Sequence, residues 1–325
     1  MRSLWKDVAA AFLMGMVLPG ILLNYAVVQQ RYNQPLPEIQ ITIPEETQQK
    51  PVSSPVLVRE NDDSVEQRDM EDYLVGVVLA EMPVSFEEEA LKAQAVAART
   101  YARKAWVTGG KHGDGSVCTQ PGCCQAHVEI ETYLQQGGTE AGLEKVRAAV
   151  YATAGACLQY DGELIEATYF STSGDSTEDA IAVWGTDYPY LQAVESPGEE
   201  SARWYRDTVT FTKEQFCNAL GKVPEGAPET WFGEVRYTEG GGVKSMVIGG
   251  ETYTGTRLRS LLGLRSTAFD VSVTDGAIII TTKGYGHRVG MSQYGAEAMA
   301  LGGSSYREIL AHYYPGTELV TALTG

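Results

Sequence analysis

The hydrophobic pattern changes character several times along the chain. From Val8 to Val28 the run VAAAFLMGMVLPGILLNYAVV carries no charge. At about 1.5 Å per helical residue it matches the roughly 30 Å hydrocarbon core of a bilayer. From Gln34 to about Arg68 the pattern disappears, and Pro35, Pro37, Pro44, Pro51 and Pro55 stand among Gln, Glu, Ser and Asp. Such a stretch cannot bury enough apolar surface to order itself, so it predicts an extended spacer. Helical periodicity follows: Tyr73, Leu74, Val77, Val78 and Glu81 share one face between Glu71 and Met82, and Pro83 predicts the stop. Ser85 and Glu88 form an S-x-x-E capping box, which predicts a second helix running to Gly109-Gly110. Its alanines, Ala90, Ala93, Ala95, Ala97, Ala98 and Ala102, give it small faces that allow close packing.

Beyond these helices the pattern is mixed. Helices are expected at 70–82, 86–106, 291–302 and 304–313, and strands near 157–171, 207–212, 233–249 and 268–283. Asp275-Gly276 is the turn of a hairpin in the last of these. The fold class is therefore α+β, with a single-pass membrane helix in 1–32, a Pro-rich linker in 33–65 and a mixed α/β domain in 66–325. Within that domain, 200–265 reads as a β-rich, semi-independent lobe. Arg2 and Lys6 precede the apolar segment and only Arg31 closely follows it. That asymmetry puts the N-terminus in the cytoplasm and the domain outside it. A cleaved signal peptide is the competing reading, but no small-x-small site stands near Ala26. The net charge of −17 provides no basic face for nucleic acid.

Candidate chemistry then stands out against this frame. Glu81 lies in LVGVVLAEMP, an apolar run ending a helix. Burial and the negative end of the helix dipole both disfavour its charge, so a raised pKa is expected. A helix-end carboxylate turned to solvent fits the same pattern. TYFSTSG puts Tyr169, Ser171 and Ser173 on alternate positions, as on one face of a strand. GYGHRVGMSQYGAEAMA reads as a glycine-rich loop leading into a helix. His287 and Ser292 within it permit a nucleophilic hydrolase, but no G-x-S-x-G elbow or third member accompanies them. KHGDGSVCTQPGCCQAH gathers three of the five cysteines and two of the four histidines. A metal site or a disulfide would account for it. Cys157 and Cys217 lie in apolar surroundings and belong to the core.

EMPVSFEEEALKAQAVAARTYA, TYFSTSG, TGTRLRSLLGLRST at 254–267 and GYGHRVGMSQYGAEAMA at 284–300 resemble the ordered motifs of the stage II sporulation protein D family. The resemblance covers about residue 70 to the end. It implies a lytic transglycosylase that cleaves the MurNAc–GlcNAc bond of peptidoglycan glycan strands, with 1,6-anhydro products, during engulfment of the forespore. The glutamate of the EMP motif, Glu81 here, would be catalytic. Tyr169, Ser171, Ser173, Tyr285, His287, Ser292, Gln293 and Tyr294 would bind the sugar or orient the acid. Some members with the same His and Cys spacing bind zinc, which implies His112, Cys118 and Cys124 as ligands, with Cys123 or His127 for a fourth place. The implied partners are a cell-wall amidase and other membrane proteins of the engulfment complex. Related domains enhance an amidase rather than cut glycan, so a non-catalytic activator is the alternative. Asp175 and Arg288 stand where the family commonly has glycine, which predicts an altered turn and a less compact loop.

Overall fold

The computed structural model describes residues 54–321. The apolar segment 8–28 and the spacer up to residue 53 lie outside the described residues. Among the described residues no helix is long and apolar enough to cross a membrane.

The first described element corrects the expected bounds of the linker. Pro55–Arg59 and Val65–Asp69 form an antiparallel hairpin, and the first of these strands also pairs in parallel with Val117–Cys118. The spacer therefore gives way to structure about ten residues early. The physical reason is the alternation in PVLVR: Val56 and Val58 point inward and are fully buried, and Pro55 occupies the first strand position, where proline is tolerated.

Asp69 caps the next helix, Met70–Glu81, accepting from the Glu71 and Asp72 amides at 3.0 and 3.1 Å. This acid helix is apolar on nearly every side, with Tyr73, Leu74, Val75, Val77 and Val78 all buried. The single stripe expected from periodicity is thus one face of a helix enclosed by protein. It ends where expected, Met82 being extended before Pro83. The following helix, Glu88–Thr108, is not opened by the Ser85 box. Its N-cap is Glu87, without a side-chain cap. The Phe86 amide closes a turn on the Pro83 carbonyl at 3.0 Å, and the Glu87 amide donates to Glu297 at 2.6 Å. Proline geometry and a tertiary acceptor have replaced the local cap. The small alanine faces do bury completely, letting this long helix run through the main core with the helix Glu140–Ala152 and the C-terminal helices Gln293–Leu301 and Tyr306–Tyr313 packed on it. Gly109, at φ 88°, terminates it.

The strand expected at 157–171 is three short pieces, Ala156–Tyr160, Glu163–Leu164 and Tyr169–Phe170. Glu318–Thr321 pairs with the first, and Met291–Ser292 pairs in parallel with the last. A second apolar cluster gathers Phe216, Trp231, Met246, Leu258, Phe269 and Ile280. It is covered by the meander Phe232–Tyr237, Val243–Ile248 and Glu251–Thr254 and by the hairpin Ala268–Thr274 and Ala277–Lys283, which adds Arg206–Phe211 at its edge. Asp275 and Gly276 turn that hairpin with φ of 52° and 75°, the left-handed pair that a tight two-residue turn demands.

Candidate active site

Glu81 ends the acid helix at the wall of a cleft of about 880 Å³. Its Oε1 accepts from the Ala126 backbone amide at 2.8 Å and its Oε2 from Gln293 Nε2 at 3.2 Å. Burial raises its pKa above the ordinary carboxylate value, and the two hydrogen bonds oppose that rise without cancelling it. Both donors are neutral. They fix the carboxyl in place without the full positive charge that would hold it ionised.

The Ala126 donor belongs to a strap, residues 123–128, laid along the acid helix. Gln125 is buried, donates from Nε2 to the Tyr169 hydroxyl at 3.0 Å and to the Ala98 carbonyl at 3.2 Å, and accepts from the Tyr73 hydroxyl at 3.3 Å. Because the Tyr169 oxygen already accepts from Gln125, its own proton is directed elsewhere. His127 stacks on Tyr73 with ring centroids 5.2 Å apart, and the Val128 amide donates to the Gly76 carbonyl at 3.2 Å. Gly76 permits this approach: a Cβ there would meet His127 Nε2 at 2.3 Å and the Val128 carbonyl at 2.7 Å.

Of the residues singled out in the sequence, Tyr169, Ser171, Tyr285, His287 and Gln293 share the cleft with Glu81. Ser173, Ser292 and Tyr294 do not line it. Ser173 is fully buried, and both its amide and its hydroxyl donate to Glu199, at 2.7 and 2.8 Å. Ser292 caps the helix Gln293–Leu301, accepting from the Gly295 amide at 3.2 Å. Tyr294 packs edge-on against Phe86. These three hold the walls up and do not face the cleft. His287 sits half-buried between Phe170 and Trp184, and its Nδ1 accepts from the Val289 amide at 3.1 Å. Burial, reinforced by the charges of Arg259 and Lys111, brings its pKa down to about 4. It is therefore neutral near pH 7, and Ser292 Oγ makes its hydrogen bonds to backbone, donating to the Ser171 carbonyl at 3.5 Å and accepting from the Gly295 amide, and not to His287.

Gln125, Glu166, Lys111, Arg259 and Trp184 also line the cleft and carried no signal of their own in the sequence. Glu166 is paired with Lys104 at 3.1 Å. The two positions that break the family's glycine pattern, Asp175 and Arg288, both have positive φ, 104° and 66°, which is why glycine suits them. Asp175 is held by Tyr205 and by Lys283 at 2.7 Å. The expected loosening at Arg288 is corrected: its guanidinium is buried and donates to the carbonyls of Ser173 and Ser176 at 2.7 Å, to that of Gly240 at 2.8 Å and to Glu178 at 3.1 Å. A four-point anchor inside the loop makes it tighter.

The strap begins in a cluster of possible metal ligands. His112, Cys118, Cys123 and Cys124 bring their ligand atoms within 4.8 Å of one another. Cys123 is thus the residue placed for the fourth position, and His127, stacked on Tyr73, lies outside the cluster. His112 Nε2 lies 3.6 Å from Cys124 Sγ and 3.8 Å from Cys123 Sγ, and those two sulfurs are 3.9 Å apart. A tetrahedral zinc with bonds of about 2.3 Å to sulfur and about 2.0 Å to nitrogen has edges of roughly 3.5–3.8 Å, so the donor set fits. Its charge chemistry agrees. Burial works against the Cys118 thiolate, but the Gln120 amide, His112 and the neighbouring thiols bring its pKa down to about 7. Burial and the neighbouring Cys118 and Cys124 push Cys123 up to about 11. The five cysteines are free thiols, with Cys157 and Cys217 buried as expected.

Fold and site together define an α+β protein whose open cleft centres on one carboxyl group biased towards its protonated form and steadied by neutral donors. Comparison with known proteins gives that class its place. The stage II sporulation protein (SpoIID) family model matches residues 59–160. Stage II sporulation protein D of Bacillus amyloliquefaciens is 40% identical over 278 residues, covering 84% of this chain and 80% of that protein. The protein of the same name from Bacillus subtilis strain 168 is 40% identical over 277 residues with the same coverage. The amidase enhancer of Bacillus subtilis is 30% identical over 306 residues, 76% of this chain and 40% of that protein. The chain belongs to the stage II sporulation protein D family.

Proposed function

We propose that this protein is a peptidoglycan lytic transglycosylase acting in the cell-wall remodelling of sporulation, with Glu81 as its single acid and base. The observation that carries this reading is the environment of Glu81: a burial-raised pKa, two neutral donors, and no cationic partner among the described residues. A protonated Glu81 gives its proton to the oxygen of the MurNAc–GlcNAc bond as the bond to the anomeric carbon breaks. The carboxylate left behind is stabilised by the Ala126 amide and Gln293. It then takes a proton from the 6-hydroxyl of the same muramyl sugar, whose oxygen closes on the anomeric carbon as a 1,6-anhydro ring. One proton cycles and no water is consumed, so the second carboxylate of a hydrolase is unnecessary. Glu166, the other carboxylate lining the cleft, is engaged by Lys104. Tyr169 and Ser171 supply hydroxyls and Tyr285 a half-exposed ring for the sugar.

His112, Cys118, Cys123 and Cys124 would hold a zinc ion, whose bound form supplies a cross-link at the root of the strap. The 8–28 segment would anchor the chain in the membrane with the domain outside the cytoplasm, beside glycan strands, a cell-wall amidase and other engulfment proteins. Removing residues 1–32 is then expected to leave a soluble, active domain, checked by membrane fractionation. Retention of that variant on membranes after salt and detergent washes would argue against a sole anchor there.

The amidase-enhancer relative favours a second reading, a glycan-binding activator without chemistry of its own. Glu81→Gln separates the two. It is expected to fold and bind glycan but release no soluble fragments, losing at least about a hundredfold in rate. Near-normal cleavage by that variant would overturn the assignment of Glu81, and binding without cleavage by the unmodified protein would favour the activator.

A further inference from the structure

Two cations line the cleft with no anion of their own. Lys111 Nζ donates to the Cys123 carbonyl and lies 6.0 Å from the centroid of Tyr101. Arg259 donates only from Nε, to the Leu264 carbonyl at 3.4 Å. Among the described residues neither has a carboxylate within ion-pair distance. This is not for want of acids, since the chain has 42 acidic residues against 25 basic ones. The fully buried arginines are paired, Arg99 with Glu71 and Arg288 with Glu178, whereas the partly buried Arg259 on the cleft wall is not. Arg259 is also partly withdrawn from water, which disfavours its charge. Its position is dictated by packing. Leu258 and Leu262 of the helix Gly255–Leu262 are buried in the lobe's apolar cluster, which leaves Arg259 on the cleft wall.

The helix C-terminus offers a plainer reason for a cation, because Arg259 is in its last turn. That reason does not explain why the guanidinium's two terminal nitrogens are left without a partner in a cleft shared with Glu81. A planar fork with open donors is suited to a carboxylate. We propose that Arg259, assisted by Lys111, reads a carboxylate carried by the glycan, so that the cleft selects acidic muramyl strands over neutral ones. This rests on the glycan-cleaving reading above and adds the group that is recognised. The carboxylate has two sources on such a strand: the lactyl group of a sugar freed of its peptide, or the peptide itself where it remains.

The test uses the full chain in detergent carrying Glu81→Gln, so that binding is measured without turnover. The probes are a neutral chito-oligosaccharide, a peptide-free muramyl glycan and a peptide-bearing muramyl glycan of equal length. One acidic probe is expected to bind at least about tenfold more tightly than the neutral one, the value of a charge-assisted contact. Preference for the peptide-free strand names the lactyl carboxylate, and preference for the peptide-bearing strand names the peptide. Adding Arg259→Gln is expected to erase most of that preference while neutral affinity stays. Lys111→Met, a change at an exposed residue, is expected to reduce it more weakly, and added salt to diminish it in the parent. A melting curve matched to the parent's shows that the Arg259 variant is folded; if it is not, the Lys111 variant and the salt dependence decide. Equal affinity for neutral and acidic probes, or equal loss of both in Arg259→Gln, overturns this inference alone. Failure to bind any of the three probes overturns the glycan reading with it.

Discussion

Glu81 carries two pH-dependent consequences. The proposed first step needs its proton, so activity is expected to fall as pH rises through its raised pKa. A pH–rate profile flat on the alkaline side would mean that another group donates. Stability runs the same way. A carboxyl whose folded pKa is raised binds its proton more tightly folded than unfolded. Its contribution is complete below the unfolded value and is lost as pH rises through the folded one. Glu81→Gln, neutral at every pH, is therefore expected to melt higher than the unmodified protein near pH 7 and equally near pH 4, a convergence that melting curves at the two pH values detect. Arg288 shows the opposite trade. Its positive φ costs about 1 kcal/mol, whereas removing it leaves Glu178 buried without its cation, a loss of about 3 kcal/mol or more. Arg288→Gly is thus expected to destabilise despite restoring the family's residue, as denaturant unfolding would record. Position 81 was legible because a charge in an apolar helix is conspicuous. The role of Arg288 was not, because its four acceptors come from residues 48 to 115 positions away in sequence.

At the scale of elements the strap is the part that matters to the acid. One end lies in the His112 and cysteine cluster, its middle donates to Glu81 and Tyr169, and its far end docks on Gly76. Two perturbations at opposite ends should therefore converge on the same carboxyl. Gly76→Ala puts a methyl group into the Val128 backbone, which cannot yield as a side chain can. The strap must shift, and a displacement near 1 Å is expected to lower turnover about a hundredfold. Cys124→Ser is expected to abolish metal binding by elemental analysis and to lower both thermal stability and turnover. Sequence distance alone would have placed this cluster remote from Glu81 and confined its effect to stability. A metal-free Cys124→Ser protein with unchanged kinetics would restore that view. Local patterns found the acid helix and its stop, but the Ser85 box failed because Pro83 and Glu297 offered better partners. The helix Glu140–Ala152 has an N-cap at Thr139 that the pattern reading passed over, and Gly76 was the overlooked sign, since a glycine inside a helix often marks a close approach.

Among the described residues there are two apolar clusters, and residues from the body of each contribute to the cleft wall, Glu81 and Tyr169 from one and Arg259 from the other. The lobe's cluster extends past the 200–265 expected from composition, since Phe269, Ile278 and Ile280 belong to it. Alternation in 268–283 predicted the hairpin correctly, but which core a strand serves depends on tertiary pairing with Arg206–Phe211, which no local pattern reveals. The α+β class and the Glu81 motif were therefore readable in advance, whereas the strap, the cation pair and the two-core arrangement required long-range contacts. The central claim, that one carboxyl cycles one proton and no water enters, is tested most directly by the ends of the product. Purified glycan digested in ¹⁸O-water and analysed by mass spectrometry is expected to give muramyl ends one water lighter than hydrolysed ends, with no label incorporated. Reducing muramyl ends carrying the label would mean that water is the nucleophile, and would contradict the single-carboxyl mechanism.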